Sequence, residues 1–175
     1  LMVEWPARKV DARLGAGSLV SIRWLGRPES LGGAVRISRL AVLERPEASV
    51  DLFQTIPTAW VQERTLVSRA SALWQRLSPH FQHLFNAIFW DASRLHRYLL
   101  GASSLRGHHS GAHGNLRHTL EVAEQALKMA ENQALACPDV LLMGALLHDA
   151  GKADEYCLGG SGLEMTTRGK IIGHR

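Results

Sequence analysis

Between Pro138 and Asp149 the chain carries Leu141, Leu142, Met143, Ala145, Leu146 and Leu147, apolar on every face, and the run ends in His148-Asp149. A helix that is apolar all round belongs in the middle of a core. The segment therefore predicts a buried central helix, opened by Pro138 and closed by a C-terminal cap at Gly151. An ionised carboxylate at that end is costly, because burial strips it of water and the helix dipole already places negative charge there. A bound divalent cation removes both penalties. His118 points to the same ion, since in a helix over 118–131 it heads a stripe made by Val122, Ala126 and Met129. Imidazole and carboxylate without thiolate suit Mn, Fe, Co, Ni or Zn.

The remaining pattern predicts a mainly α chain behind a small β-element. Ser18 to Leu25 alternates over much of its length, and Ala34 to Leu40 sets Val35, Ile37 and Leu40 against Arg36, Ser38 and Arg39, with Gly26, Pro28, Gly32 and Gly33 between the two stretches. Two strands do not stand alone in water, so this hairpin belongs to a larger assembly. Residues 62–77 and 81–100 carry apolar side chains at helical steps, with Ser78-Pro79 as a restart signal. Residues 101–117 read as a polar loop, 159–162 as a turn, and 166–173 as the start of a further helix.

Composition excludes several classes. At 46% hydrophobic and 21% charged residues the chain is globular, and no apolar run approaches the ~20 residues of a membrane helix. Leu1-Met2-Val3-Glu4-Trp5 lacks the apolar stretch of a signal peptide. Cys137 and Cys157 cannot form a disulfide scaffold, so a reduced, cytoplasmic setting is expected. Charge is divided: residues 1–117 hold fifteen Arg/Lys against eight Asp/Glu, whereas 118–175 hold five against eight. Sixteen of the twenty basic residues are Arg, which suits phosphate contacts, although a solvated Arg-rich surface gives the same count.

His118, followed by Leu146-Leu147-His148-Asp149-Ala150-Gly151-Lys152, resembles the HD-domain family of metal-dependent phosphohydrolases. His108-His109-Ser110-Gly111-Ala112-His113-Gly114-Asn115-Leu116-Arg117-His118-Thr119 is similar to the family's stretch of two histidines, a glycine pair and a leucine before His-Thr. His113 stands where the first glycine is usual, and Asn115 replaces the leucine. Thr167-Arg168-Gly169-Lys170-Ile171-Ile172-Gly173-His174 is similar to a further stretch ending in Gly-His. The combination resembles bacterial 3′-to-5′ exoribonucleases of the YhaM type, which place an OB-fold before an HD domain. Arg117-His118-Thr119-Leu120-Glu121-Val122 is also similar to the HD domain of TraI-class conjugative relaxases.

The resemblance implies an HD-domain helical bundle preceded by a small β-hairpin or partial OB-like element. Residues 1–50 form that element, 51–78 a linker and first helix, and 79–175 the HD domain, shortened at its C-terminus. It implies metal ligation by His118, His148 and Asp149, with Lys152 facing the substrate phosphate. His174, His108 and His109 would be second-metal or phosphate contacts. The ion is one of Mn, Mg, Co, Ni, Fe or Zn. The family closes its metal shell with a far-downstream Asp, and the sequence stops at Arg175. The expectation is a piece of a longer protein that by itself binds metal weakly and turns over phosphodiesters slowly or not at all. Trp24, Arg23 and Arg36 are the candidate nucleic-acid contacts, with Trp24 supplying a stacking surface or else a core residue. The expected function is a metal-dependent phosphodiesterase, a 3′-to-5′ exonuclease on single-stranded RNA or DNA. A small-nucleotide phosphohydrolase and a non-catalytic relaxase domain are the alternatives.

Overall fold

The computed structural model describes residues 2–6, 9, 11–25, 35–104, 107–131, 133, 137–159 and 162–173. The chain divides into two compact units, Leu1–Pro46 and Glu47–Arg175.

In the first unit, strands β1 (Val3–Glu4), β2 (Val20–Trp24) and β3 (Val35–Val42) form a sheet in the order β1-β3-β2. β2 and β3 run antiparallel, with Val20 opposite Val42 and Ile22 opposite Leu40. The alternation that marks them as strands leaves Ser21 and Arg23 exposed and Ile37 buried. A register shift between Arg23 and Trp24 leaves Trp24 41% exposed, as local bulging of a strand re-aims a side chain. β1 joins in parallel, Val3 opposite Val35. At two residues it is too short to carry a period. The glycines and Pro28 between the hairpin strands lie outside the described residues, as do the two central positions of the 159–162 turn.

The second unit begins with a single 3-10 turn, Leu52–Thr55, capped by Asp51, whose carboxylate accepts from the Phe53 N–H and from the Ser71 hydroxyl. Helices α1 (Arg64–Gln75), α2 (Pro79–Phe89), α3 (Ala92–Leu100), α4 (Gly114–Ala130) and α5 (Pro138–Leu147) follow. A short α6 (Lys152–Glu155), a hairpin of β4 (Tyr156–Gly159) and β5 (Gly162–Met165), and α7 (Thr167–Ile172) complete it. α4 packs along α5, α1 and α3 pack against α4, and α6 packs on α3 and α7. Phe53, Phe85, Phe89 and Tyr98 stack in sequence through the interior, at ring separations of 4.6–5.4 Å.

Several expectations need correction. The run 81–100 is two helices, not one, because Asp91 takes an extended backbone and caps α3 by accepting from the Arg94 N–H. α4 starts at Gly114 rather than His118, so 114–117 is helix and not loop. Its buried stripe is Leu116, Leu120, Ala123 and Leu127, while Met129 is 74% exposed and His118 lies at the stripe's edge. α5 is not buried all round: Leu142, Met143, Ala145 and Leu146 face the core, and Val140 and Leu141 face solvent. Gly151 is no left-handed cap, having φ −67°; it leads into α6. In the described part of the polar loop, Ser103 N–H donates to His109 O and His113 N–H to Leu100 O.

Side-chain truncations test this layout. Phe85→Ala should cost about 3–5 kcal/mol in chemical denaturation, because a fully buried ring leaves a cavity. Val140→Ala, on the solvent face of α5, should change stability by no more than about 0.5 kcal/mol.

Candidate metal centre

Asp149 follows the last turn of α5 and is only 5% exposed. Its carboxylate Oδ2 lies 3.5 Å from His118 Nε2, 3.3 Å from His148 Nε2 and 2.8 Å from Lys152 Nζ. The two imidazole Nε2 atoms are 3.3 Å apart. Three features of local folding create this convergence. The turn after α5 keeps helical spacing, with His148 N–H on Gly144 O and Lys152 N–H on Asp149 O, so Lys152 returns to Asp149. The packing of α4 along α5 brings His118 alongside. Tyr98 of α3, fully buried, donates its hydroxyl to Leu146 O and fixes the end of α5 from the third side. Burial holds that phenol far above its ordinary range.

Protonation states follow from the partners. His148 Nδ1 is 2.7 Å from Ala145 O. A carbonyl only accepts, so Nδ1 carries a proton, and in the neutral ring the Nε2 lone pair faces Asp149 and His118. Burial pushes the His118 imidazole below its ordinary value, outweighing the upward pull of Asp149, while the charges of His148, Lys152 and His109 push further down. In their neutral forms both rings present Nε2 to the same point. The triangle of 3.3, 3.3 and 3.5 Å agrees with the ~3.4 Å between two ligands held ~2.1 Å from one tetrahedral ion. Among the described residues, His118, His148 and Asp149 form the one His/Cys/Asp/Glu group with this property. The donor set fits a divalent metal of the Mn to Zn series.

The other named residues fall in several places. Lys152 Nζ, besides meeting Asp149, donates to Ser103 O at 2.6 Å, which aims it. His109 lies beside the centre, its ring 6.1 Å from that of His118. His108 is exposed, and its carbonyl accepts from Ser104 Oγ. His174 lies outside the described residues. His113 turns away, with Nδ1 on Leu99 O. In the first unit Arg23 and Trp24 share a concavity with Arg39, whereas Arg36 lines a separate one with Trp5.

Three contributors are not evident from the sequence patterns above. Glu121, three positions after His118 on one helix face, holds His109 at 2.9 Å, and that spacing is a usable signal. Arg39 pairs across the strands with Arg23, which follows from the alternation once the register is known. The Ser103 carbonyl leaves no signal, since any residue supplies one.

Residues 115–174 match the family model described as HD domain. The matched stretch contains His118, His148, Asp149 and Lys152 and excludes His108, His109 and the first unit. The match supports the HD metal-dependent phosphohydrolase superfamily, whose domains bind divalent metals, and with it a hydrolase in general. No curated protein and no solved structure matches the chain.

His148→Ala and Asp149→Asn should each weaken Mn2+ binding at least about 10- to 100-fold by calorimetry. Affinity should also fall with acidity. His118 is held neutral by burial, so its contribution is intact above the ordinary imidazole value of about 6.5 and is lost as pH drops through its lower folded value. His118→Ala should flatten that part of the pH profile.

Proposed function

We propose that the chain is a metal-dependent phosphodiesterase that removes nucleotides in the 3′-to-5′ direction from single-stranded RNA or DNA. The observation that carries the reading is the convergence of His118, His148, Asp149 and Lys152 on one point within the segment that matches the HD domain. When bound, the divalent ion polarises the phosphoryl group and lowers the pKa of its water towards ~7. His118, His148 and Asp149 would hold it. Asp149 would also orient the attacking water. Lys152, anchored on Ser103 O, keeps a compact positive charge at the site for the non-bridging phosphate oxygens. The neutral tautomer of His148, fixed by Ala145 O, keeps its Nε2 available as a ligand throughout.

Support for a nucleic-acid substrate comes from the first unit taken by itself. Trp24, Arg23 and Arg39 line a concavity of about 600 Å3. Arg23 and Arg39 are direct cross-strand neighbours. Like charges opposite one another cost stability, and an anionic backbone lying over them relieves that cost. The exposed indole offers a stacking face that tolerates any base.

A second reading, a small-nucleotide phosphohydrolase, is favoured by a different observation. The second unit has a mostly apolar cavity of about 400 Å3 whose lining includes Leu100, Ala102, Tyr156 and Arg97. That volume accommodates a nucleobase. The two readings separate cleanly by substrate.

With Mn2+, a 5′-labelled single-stranded oligonucleotide should shorten stepwise from its 3′ end, and His148→Ala should lose at least about 100-fold of that rate. Turnover of mononucleotides with intact oligonucleotide would instead establish the second reading. Trp24→Ala with Arg23→Ala and Arg39→Ala should weaken binding in fluorescence anisotropy. The salt slope should fall by about 0.7 for each phosphate of a single strand that the variant no longer neutralises.

A further inference from the structure

His109 is held in a position that costs the chain strain. Its backbone is left-handed, with φ 61°, a region that disfavours any residue with a Cβ. Its carbonyl accepts from the Ser103 N–H at 3.0 Å. Gly114 packs against the same carbonyl so closely that a Cβ there would lie 1.8 Å from the oxygen. Ser103 in turn receives Lys152 Nζ through its own carbonyl, so one residue links the His109 backbone to the Asp149–Lys152 pair.

The ring is fixed separately. His109 Nε2 lies 2.9 Å from Glu121 Oε2, and Glu121 stands one turn beyond His118 on α4. A carboxylate accepts, so Nε2 bears a hydrogen, and in the neutral form of the ring the lone pair lies on Nδ1. Glu121 is 53% exposed, and a pair so open to water adds little to stability. Strain, a close glycine and a carboxylate partner thus all serve the orientation of one imidazole beside His118.

We propose that Glu121 is a positioning residue: it fixes the tautomer and orientation of His109, so that Nδ1 accepts a hydrogen bond from the attacking water at the rim of the metal centre. His109 is then a catalytic residue and Glu121 acts through it. The inference rests on the phosphodiesterase reading above, and its test separates the two.

Two measurements on Glu121→Ala, Glu121→Gln and His109→Ala decide it. Nitrogen-15 NMR of the imidazoles in metal-free protein should show His109 as the Nε2–H tautomer in wild type and a mixture in both Glu121 variants. An unchanged tautomer overturns the positioning role, whether or not the protein turns over. Against a phosphodiester, Glu121→Ala should lower kcat about 10- to 100-fold, the range seen when an orienting partner is removed, with KM and Mn2+ affinity within twofold. The Glu121→Ala, His109→Ala double variant should lose no more than His109→Ala alone. Wild-type turnover with an unaltered kcat in Glu121→Ala overturns the inference. Absence of turnover in wild type overturns the phosphodiesterase reading instead, leaving the tautomer result to judge Glu121.

Discussion

A carboxylate that is 5% exposed at the end of an apolar helix sets the terms for the second unit. Isolated in a low-dielectric interior, an ionised Asp149 would be prohibitively costly, so neighbouring elements must bring compensation to it. α4 supplies His118, the turn after α5 supplies His148, and α6 supplies Lys152. These groups arrive by ordinary packing: Leu120, Leu127, Leu142 and Leu146 bury the apolar faces of α4 and α5, and the rotation that buries them leaves His118 at the stripe's edge. Tyr98 adds a hydrogen bond from α3 to the last carbonyls of α5. The core therefore does two jobs with one set of contacts, holding the helices together and delivering polar groups to a single acid.

The same arrangement explains what is legible in the sequence. His148-Asp149 after an apolar run is visible because a charge in such a place demands a partner, and His118 is visible because its helix has a period. Strand alternation in β2 and β3 is visible because a half-buried sheet imposes a period of two. The start of α4 is not, because it depends on a close approach of Gly114 to His109, two residues whose spacing in the chain gives no periodic signal. The split of 81–100 depends on Asp91 choosing a cap over a helical position, and Asp is compatible with both. The exposure of Val140 and Leu141 is hidden because an all-apolar helix carries no information about which side lacks a neighbour. The resemblance points to His109, but its partner Glu121 requires knowing where the loop folds back onto α4.

His148 shows how closely ligand chemistry and backbone order are joined. The proton on its Nδ1 is held by Ala145 O, a carbonyl in the last turn of its own helix. If that last turn unwinds, the bond goes with it, and nothing then distinguishes the two ring nitrogens. The lone pair that His148 would offer an ion thus depends on the order of one helical turn. An ion held there would make binding and the order of that turn linked equilibria, each favouring the other.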